Sequence, residues 1–300
     1  MHVEYREEPC SSALNRVKGM PFDWSLNPYM GCAHRCTFCY VRAFEERADR
    51  PADDRYGRSI RVKVNVAEVL RCELARPSFD GKPIAIGAAT DPYQPAEGRY
   101  RLTRACLEAL RDARQAFSLI TRGPLIVRDA DVLAEASAVA EVSVTFSVPT
   151  LDERIWRTTE PGTSPPRQRL RALRMLVDAG VRASVGMAPL LPGLSDRPEE
   201  LERVVVAARE AGACGIWANL LYLRPGTREH FLSCLERDWP EQLPVYERLY
   251  ERRAYLAGRE ALPARERVRA LAHRHGVRDR RPEPLRPPPG AVQLSLLPTL

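Results

Sequence analysis

Lysine is almost missing from this chain of 300 residues: Lys18, Lys63 and Lys82 are the only lysines among 46 Lys and Arg. Arginine therefore carries nearly all of the positive side of a +7 formal charge. An excess of this size favours polyanionic partners such as nucleic acid; arginine-rich, lysine-poor usage is equally what a GC-rich genome produces. The excess gathers late, between Arg248 and Arg286, and so belongs to a terminal segment as readily as to an active-site face. Long apolar runs are also missing. None reaches the ~20 residues that span a bilayer, so no transmembrane helix and no membrane partner are expected. The opening MHVEYREEPCSS is polar and acidic where a secretory signal would be basic and then apolar. Without an export signal, eight irregularly spaced cysteines point to a reducing cytoplasm. A second close Cys/His pair is lacking too, since Cys10, Cys72, Cys106, Cys214 and Cys234 stand apart.

What is present is dominated by one stretch, Trp24 to Arg42, reading WSLNPYMGCAHRCTFCYVR. Cys32, Cys36 and Cys39 form a C-x3-C-x2-C set. Three thiolates this close can hold three corners of a four-iron cluster, because thiolate is the soft ligand such irons select. One iron then lacks a cysteine, and an open coordination site is where chemistry can occur. The alternative is a non-catalytic zinc knuckle, with His34 or a distant cysteine as fourth ligand and the basic tail holding nucleic acid. Zinc sites usually show a second close Cys/His pair, and here there is none.

The rest of the chain has the size and apolar content of a globular protein, 44% hydrophobic, enough for one large core or two modest ones. Residues 1–23 show no period and read as an irregular lead-in. Strands are expected at Asp23–Met30, Pro83–Ala89, Ala116–Thr121, Glu141–Val148, Val181–Leu190 and Cys214–Leu223, and a further one, outside this series, at Arg61–Val66. Helices are expected at Tyr40–Ala48, Val66–Ala75, Thr103–Ala113 with Thr103 as cap, Ile126–Val139, Pro165–Ala179, Arg197–Ala211, Thr227–Leu235 and Leu243–Leu256. Strands alternating with helices of this length argue for parallel βαβ units. Six units cannot close an eight-stranded barrel, so the expected fold is α/β, a partial (β/α)6 TIM-like barrel over residues 24–240; an open doubly wound sheet is the alternative. Both put ligands at the carboxyl ends of the strands, where the cysteine loop falls. C-terminal helices are expected over 241–278, ending in the basic PARERVRALAHRH (Pro263–His275). Residues 279–300, rich in Pro and Arg, are expected to be a disordered tail.

A second informative stretch is GAATDPYQPAEGRYRLT, Gly87 to Thr103. It follows a strand, so it belongs beside the cysteine loop. Two prolines stiffen it, as suits polar groups held at fixed angles. On spacing alone it also reads as a plain βα loop.

The C-x3-C-x-aromatic-C pattern, with Phe38 as the aromatic residue, resembles the radical S-adenosylmethionine (SAM) superfamily. SLNPYMGCAHRCTFCY (Ser25–Tyr40) together with TDPYQPAE (Thr90–Glu97) is similar to the group of that superfamily related to spore photoproduct lyase, a DNA repair enzyme. LITRGPLIVRD (Leu119–Asp129), VSVTFSVPTLDE (Val142–Glu153), EPGTSPPRQRL (Glu160–Leu170) and MAPLLPGLSD (Met187–Asp196) follow in order. The resemblance covers about Lys18 to Leu235.

It implies a 4Fe–4S cluster on Cys32, Cys36 and Cys39, with SAM chelating the fourth iron and cleaved reductively to a 5′-deoxyadenosyl radical. It implies that Tyr40 lies near SAM, that Thr90 and Asp91 contact its amino acid moiety, that Arg122 reaches its carboxylate where the lyase has a lysine, and that Ser147 approaches its ribose. Read without the family, Arg122 and Ser147 are ordinary polar residues. A flavodoxin- or ferredoxin-type reductant is implied as partner. Kinship to a DNA lyase and the basic C-terminal region favour DNA or RNA as substrate, with a peptide or a small molecule as the alternative.

Two departures stand out. The lyase's hydrogen-donor cysteine corresponds to Ala88 or Ala89, and its tyrosine between the last two cluster cysteines corresponds to Phe38. Neither a methyl nor a phenyl group donates a hydrogen atom readily, so this chain is expected not to split spore photoproduct. Cys106, in the helix TRACLEAL, is a candidate replacement donor, or a small buried apolar residue. Finally, QLSLL (Gln293–Leu297) resembles the peptide by which bacterial repair proteins dock on the DNA polymerase sliding clamp. A frayed tail is the alternative.

Overall fold

A computed structural model describes residues 3–256 and 258–277. The clamp-peptide and disordered-tail expectations lie outside the described residues. The chain runs β1 (Glu4–Glu8), β2 (Leu14–Arg16), β3 (Trp24–Leu26), β4 (Tyr29–Met30), α1 (Arg42–Arg47), β5 (Ser59–Lys63), α2 (Val66–Leu74), β6 (Ile84–Ile86), α3 (Pro95–Tyr100), α4 (Leu102–Asp112) and β7 (Phe117–Thr121). After a 3-10 turn at Pro124–Asp129 come α5 (Ala130–Val139), β8 (Val142–Ser147), α6 (Glu153–Thr159), α7 (Pro166–Asp178), β9 (Ala183–Leu190), α8 (Pro198–Glu210), β10 (Ile216–Leu220), α9 (Thr227–Asp238), α10 (Leu243–Tyr250) and α11 (Gly258–Arg274).

The main sheet has seven strands in the order β10-β9-β8-β7-β6-β3-β2. The six from β3 to β10 are parallel neighbours, and β2 joins β3 antiparallel at the edge. This is an α/β fold with the parallel order expected of a partial barrel. Strands covered on both faces must be apolar throughout, as in β6, Ile84-Ala85-Ile86, where every residue is buried. Helices close the outside with one apolar stripe each: in α8 the buried residues are Leu201, Val204, Val205 and Ala208, at helical spacing. In register, Leu26 pairs with Ile86, Ile86 with Leu119, and Leu119 with Val144, so the strands end together and their following loops share one rim.

Several expectations are corrected. The single strand Asp23–Met30 is two: β3 stays in the main sheet and β4 pairs with β5 in a separate three-stranded sheet, β1-β5-β4. The switch falls at Asn27-Pro28, where proline has no N–H for a ladder. Its carbonyl instead accepts from Lys63 N (3.2 Å), while Asn27 Oδ1 accepts from Ala89 N (2.9 Å). The lead-in is not irregular, because β1 and β2 pair with β5 and β3. Thr103 does not cap its helix: α3 and α4 are separated by Arg101 at φ 55°, and the Thr103 hydroxyl donates to Pro92 O at 2.6 Å. Helix α6 was not foreseen, although Asp152 caps it by accepting from Ile155 N at 2.9 Å. The helix expected at Leu243–Leu256 stops at Tyr250, and α11 begins before Pro263 and runs through it.

Candidate cluster and cofactor site

The loop from Gly31 to Val41 lies at the carboxyl end of β3 and β4, and its three cysteines line one cavity. The cavity is open to solvent, and its atom-free space including that mouth is about 480 Å³. Its far wall is Gly87 to Asp91, at the end of β6, with Ile120 and Arg122 at the end of β7.

Such a loop has few ladder bonds of its own, so other segments hold its backbone. Gln94, fully buried, accepts from Ala33 N through Oε1 (3.0 Å) and donates from Nε2 to Gly31 O (3.1 Å) and to Thr90 Oγ1 (2.8 Å). The Thr90 hydroxyl donates to Gly31 O at 2.6 Å. From the other side comes Arg42, also buried. Its guanidinium donates to the carbonyls of Ala52 (2.6 Å), Asp53 (2.7 Å), Cys36 (3.3 Å) and Arg35 (3.4 Å), and it lies 4.6 Å from the Tyr56 ring centroid. The Tyr56 hydroxyl sits 3.6 Å from Cys39 Sγ. Glycine is required where chains touch: a Cβ on Gly162 would stand 2.3 Å from Ala33 O, and one on Gly57, at φ +76°, 2.3 Å from Cys32 O.

The electrostatics bear on one thiol in particular. Burial disfavours a charged His34, but the Asp91 carboxylate at 3.2 Å and the Cys32 thiol outweigh it, and the imidazole is pushed up to about 10. Burial likewise opposes a charged Asp91. His34 together with hydrogen bonds from Thr121 Oγ1 (2.6 Å) and Arg122 N (2.7 Å) brings it down to about 2. Burial also raises the Cys32 thiol, and the neighbouring His34 cation more than offsets it, so Cys32 titrates below its ordinary value. At Cys36 and Cys39 burial outweighs the nearby arginines, Arg122 and Arg42, and pushes both thiols up.

Arg122 is held by Glu160. Its Nε donates to Glu160 Oε1 (2.8 Å), its Nη2 to Ala188 O (3.2 Å), and the guanidinium lies 5.7 Å from the Phe38 ring centroid. Nη1 makes no hydrogen bond among the described residues. Burial works against the charge, but Glu160 keeps it. Glu160 is shared with Arg169 (2.5 Å), which also donates to Ser147 O (2.8 Å).

Of the residues singled out in the sequence, Cys32, Cys36, Cys39, Tyr40, Thr90, Asp91 and Arg122 line the same cavity. Thr90 and Asp91 line it with side chains already spent on the Gly31 carbonyl, His34 and the Thr121–Arg122 turn. Tyr40 hydrogen-bonds the Ala88 carbonyl across the cavity. Ser147 is buried outside the wall and connects to it through Arg169 and Glu160. Cys106 is buried in the core on α4, away from the cavity, with its thiol raised by burial. Sequence reasoning missed Arg42, Tyr56, Gln94, Glu160 and Arg169. Gln94 and Glu160 lay inside the TDPYQP and EPGTSPP motifs; Arg42 and Tyr56 carried no signal.

Among the described residues no three Cys, His, Asp or Glu side chains converge to hold a single metal ion. A cubane makes a different demand, since each thiolate takes its own iron. Three thiols facing one cavity from an anchored loop fit that group.

A parallel α/β sheet bearing three cysteines on the loop after its first strand defines a class. The model of the Radical SAM superfamily matches residues 26–205, and the chain belongs to that superfamily. Among its relatives is an uncharacterized protein of Mycobacterium tuberculosis, Rv2578c, 38% identical over 286 residues, covering 94% of this chain and 84% of that one. Another is the uncharacterized protein MJ0683 of Methanocaldococcus jannaschii, 25% identical over 246 residues, 81% of this chain and 86% of that one. In fold the chain is similar to spore photoproduct lyase complexed with dinucleoside spore photoproduct, with a TM-score of 0.69 over 90% of this chain and 79% of the lyase at 14% identity. The radical SAM methyltransferase TsrM from Kitasatospora setae is similar at a TM-score of 0.50, over 75% of this chain and 43% of that one at 19% identity. Identities this low speak of fold alone. The superfamily's cofactors are a 4Fe–4S cluster and SAM, and this chain is an enzyme of that superfamily.

Proposed function

We propose that Cys32, Cys36 and Cys39 each ligate one iron of the cluster, that Arg122 receives the carboxylate of SAM, and that the substrate is a nucleic acid. The single observation that supports this most is the meeting of three thiols and one largely buried guanidinium on the wall of the same cavity. The chemistry supplied by the bound cluster and SAM is a one-electron cleavage of the sulfonium that yields a hydrogen-abstracting radical. This chain's residues have the remaining tasks. Gln94 and Arg42 fix the loop so that the thiols keep their spacing. Glu160 aims the Arg122 guanidinium, leaving Nη1 for a carboxylate oxygen. Val41, Ala88, Ala89 and Ile120 keep part of that wall apolar, which favours exclusion of water. The electron comes from a reductase partner, for which a flavodoxin or ferredoxin suits best. The substrate class is supported by the +7 formal charge of the chain.

Spore photoproduct reversal is not the proposed reaction. Ala88 and Ala89 stand on the wall where the related lyase group has its donor, and apart from the cluster cysteines no thiol of the described residues lines the cavity. The phenols of Tyr40 and Tyr56 do line it. The test is anaerobic: protein carrying its cluster is mixed with dithionite and SAM, with and without single-stranded DNA, RNA or spore-photoproduct DNA, and 5′-deoxyadenosine is measured. The expected result is its formation, stimulated by a polynucleotide, without lesion reversal. Formation indifferent to every polymer would remove the substrate assignment, and no formation at all would remove the SAM assignment.

A further inference from the structure

Three large aromatic side chains are at least a third exposed among the described residues: Tyr40 at 39%, Phe44 at 39% and Tyr255 at 53%. They are not scattered. Tyr40 lines the cavity and meets Phe44 edge-on at 6.0 Å between centroids, and the hydroxyl of Thr227, in the segment after Tyr222, donates to Cys39 O at 3.1 Å, which holds that segment beside Tyr40. Tyr255 is in turn stacked on half-buried Tyr222, with centroids 4.0 Å apart and planes at 24°. A backbone hydrogen bond from Leu223 N to Ala254 O (2.9 Å) fixes the two segments side by side. The ledge is therefore built: Tyr222 leaves the end of β10, the last strand of the sheet, and a second segment is tied to it.

Arginines complete the surface. Arg224 lies over the Tyr222 ring at 5.4 Å and Arg47 over Phe44 at 5.0 Å. Both are exposed and neither has an ion pair among the described residues. Exposed rings would ordinarily be covered to bury apolar area. Tyr222 is taken up between Tyr255 and the Arg224 guanidinium and serves as the support; Tyr255, more than half exposed, keeps its outer face open, and the guanidinium groups beside it offer phosphate contacts. That pair of contacts is what an unpaired nucleotide uses, through its base and its backbone. Paired bases have no free face to offer.

We propose that Tyr255, backed by Tyr222, forms with Tyr40, Phe44, Arg224 and Arg47 a platform on which an unpaired segment of a polynucleotide stacks across the mouth of the cavity. The proposal rests on the nucleic-acid reading above and identifies which structural form of the polymer is taken and by which residues. It makes Tyr222 and Tyr255 a positioning surface at the rim and leaves the cluster and SAM contacts untouched.

The test is fluorescence anisotropy, under anaerobic conditions, of cluster-loaded protein with labelled oligo-dT and oligo-U of about 15 nucleotides and with a blunt duplex of the same length. Tyr222→Ala, Tyr255→Ala and Tyr255→Phe are compared with the unaltered protein, each checked for iron content and thermal midpoint. The unaltered protein should bind a single strand more tightly than the duplex. Tyr255→Ala should weaken single-strand binding roughly 5- to 150-fold, the range that stacking on one ring supplies, and Tyr222→Ala, which removes the ring behind it, by more than about 2-fold. Tyr255→Phe, which keeps the ring, should bind within about 2-fold of the original. The DNA and RNA arms show which sugar is preferred. If the unaltered protein binds and both alanine variants bind equally well, the platform is wrong and the nucleic-acid reading stands. Equal affinity for the duplex, or as large a loss in Tyr255→Phe as in Tyr255→Ala, also overturns the platform. If neither single strand binds, the substrate class falls with it.

Discussion

Gln94→Met separates anchoring of the cysteine loop from ligation by it. Gln94 is fully buried, and its amide spans Ala33 N, Gly31 O and Thr90 Oγ1. Methionine fills a similar volume, so little cavity results. The Ala33 N–H loses its acceptor, and a buried unpaired donor costs about 1–3 kcal/mol. Gly31 O keeps the Thr90 hydroxyl, so each of the other two bonds lost there costs only about 0.5–1.5 kcal/mol. Overlap between these terms brings the expected destabilisation to about 2–4 kcal/mol. Urea unfolding of the metal-free protein reads it as a lower midpoint with unchanged slope. The second arm is cluster retention: reconstituted Gln94→Met should lose iron faster than the unaltered protein to a fixed chelator. A change under about 0.5 kcal/mol with equal iron retention would refute the view that the TDPYQP segment is the loop's clamp.

Three further outcomes follow from the same geometry. Glu160→Gln leaves the buried Arg122 and Arg169 without their shared anion, and unfolding should become about 3–5 kcal/mol easier, with weaker SAM binding by isothermal calorimetry; unaltered SAM affinity would detach Arg122 from the cofactor. Cys106→Ser should cost about 1–2 kcal/mol in the core yet leave SAM cleavage per cluster within 2-fold; a loss beyond about 10-fold would return Cys106 to the reaction. His230 is disfavoured as a cation first by burial and then by Arg42, so its pKa falls from 6.5 to about 4. The unfolded chain then binds the extra proton, so the stabilisation is complete above 6.5 and is lost as pH falls from there toward 4. The unfolding midpoint of His230→Gln should therefore decline less steeply across that window, and identical slopes in the two proteins would contradict the assignment.

Much of the fold was legible because the parallel strands are short apolar runs between helices of one-sided apolar spacing, as at Ile84–Ile86 and in α8. The first strand was misread because apolar content continues through Asn27-Pro28 while the hydrogen-bond ladder does not. β1, Glu4–Glu8, hid for the opposite reason: it is a polar strand with no residue fully buried. The cysteines and Arg122 could be found from motifs. Arg42 could not, because in a chain this rich in arginine a buried guanidinium looks like any other. Its burial depends on carbonyls gathered from residues 35, 36, 52 and 53, which only the folded loop brings together. Thr90 and Asp91 show the converse case. The motif put them at the cavity, but their side chains are engaged in holding the loop, a division of labour that spacing does not reveal.

The most direct measurement is iron and acid-labile sulfide per chain after anaerobic reconstitution, for the unaltered protein and for Cys32→Ala, Cys36→Ala and Cys39→Ala. The account predicts about four of each per unaltered chain, broad absorption near ~400 nm, and loss of the cluster in every one of the three variants. A colourless protein holding one zinc, or a variant that keeps a full cluster, would contradict it.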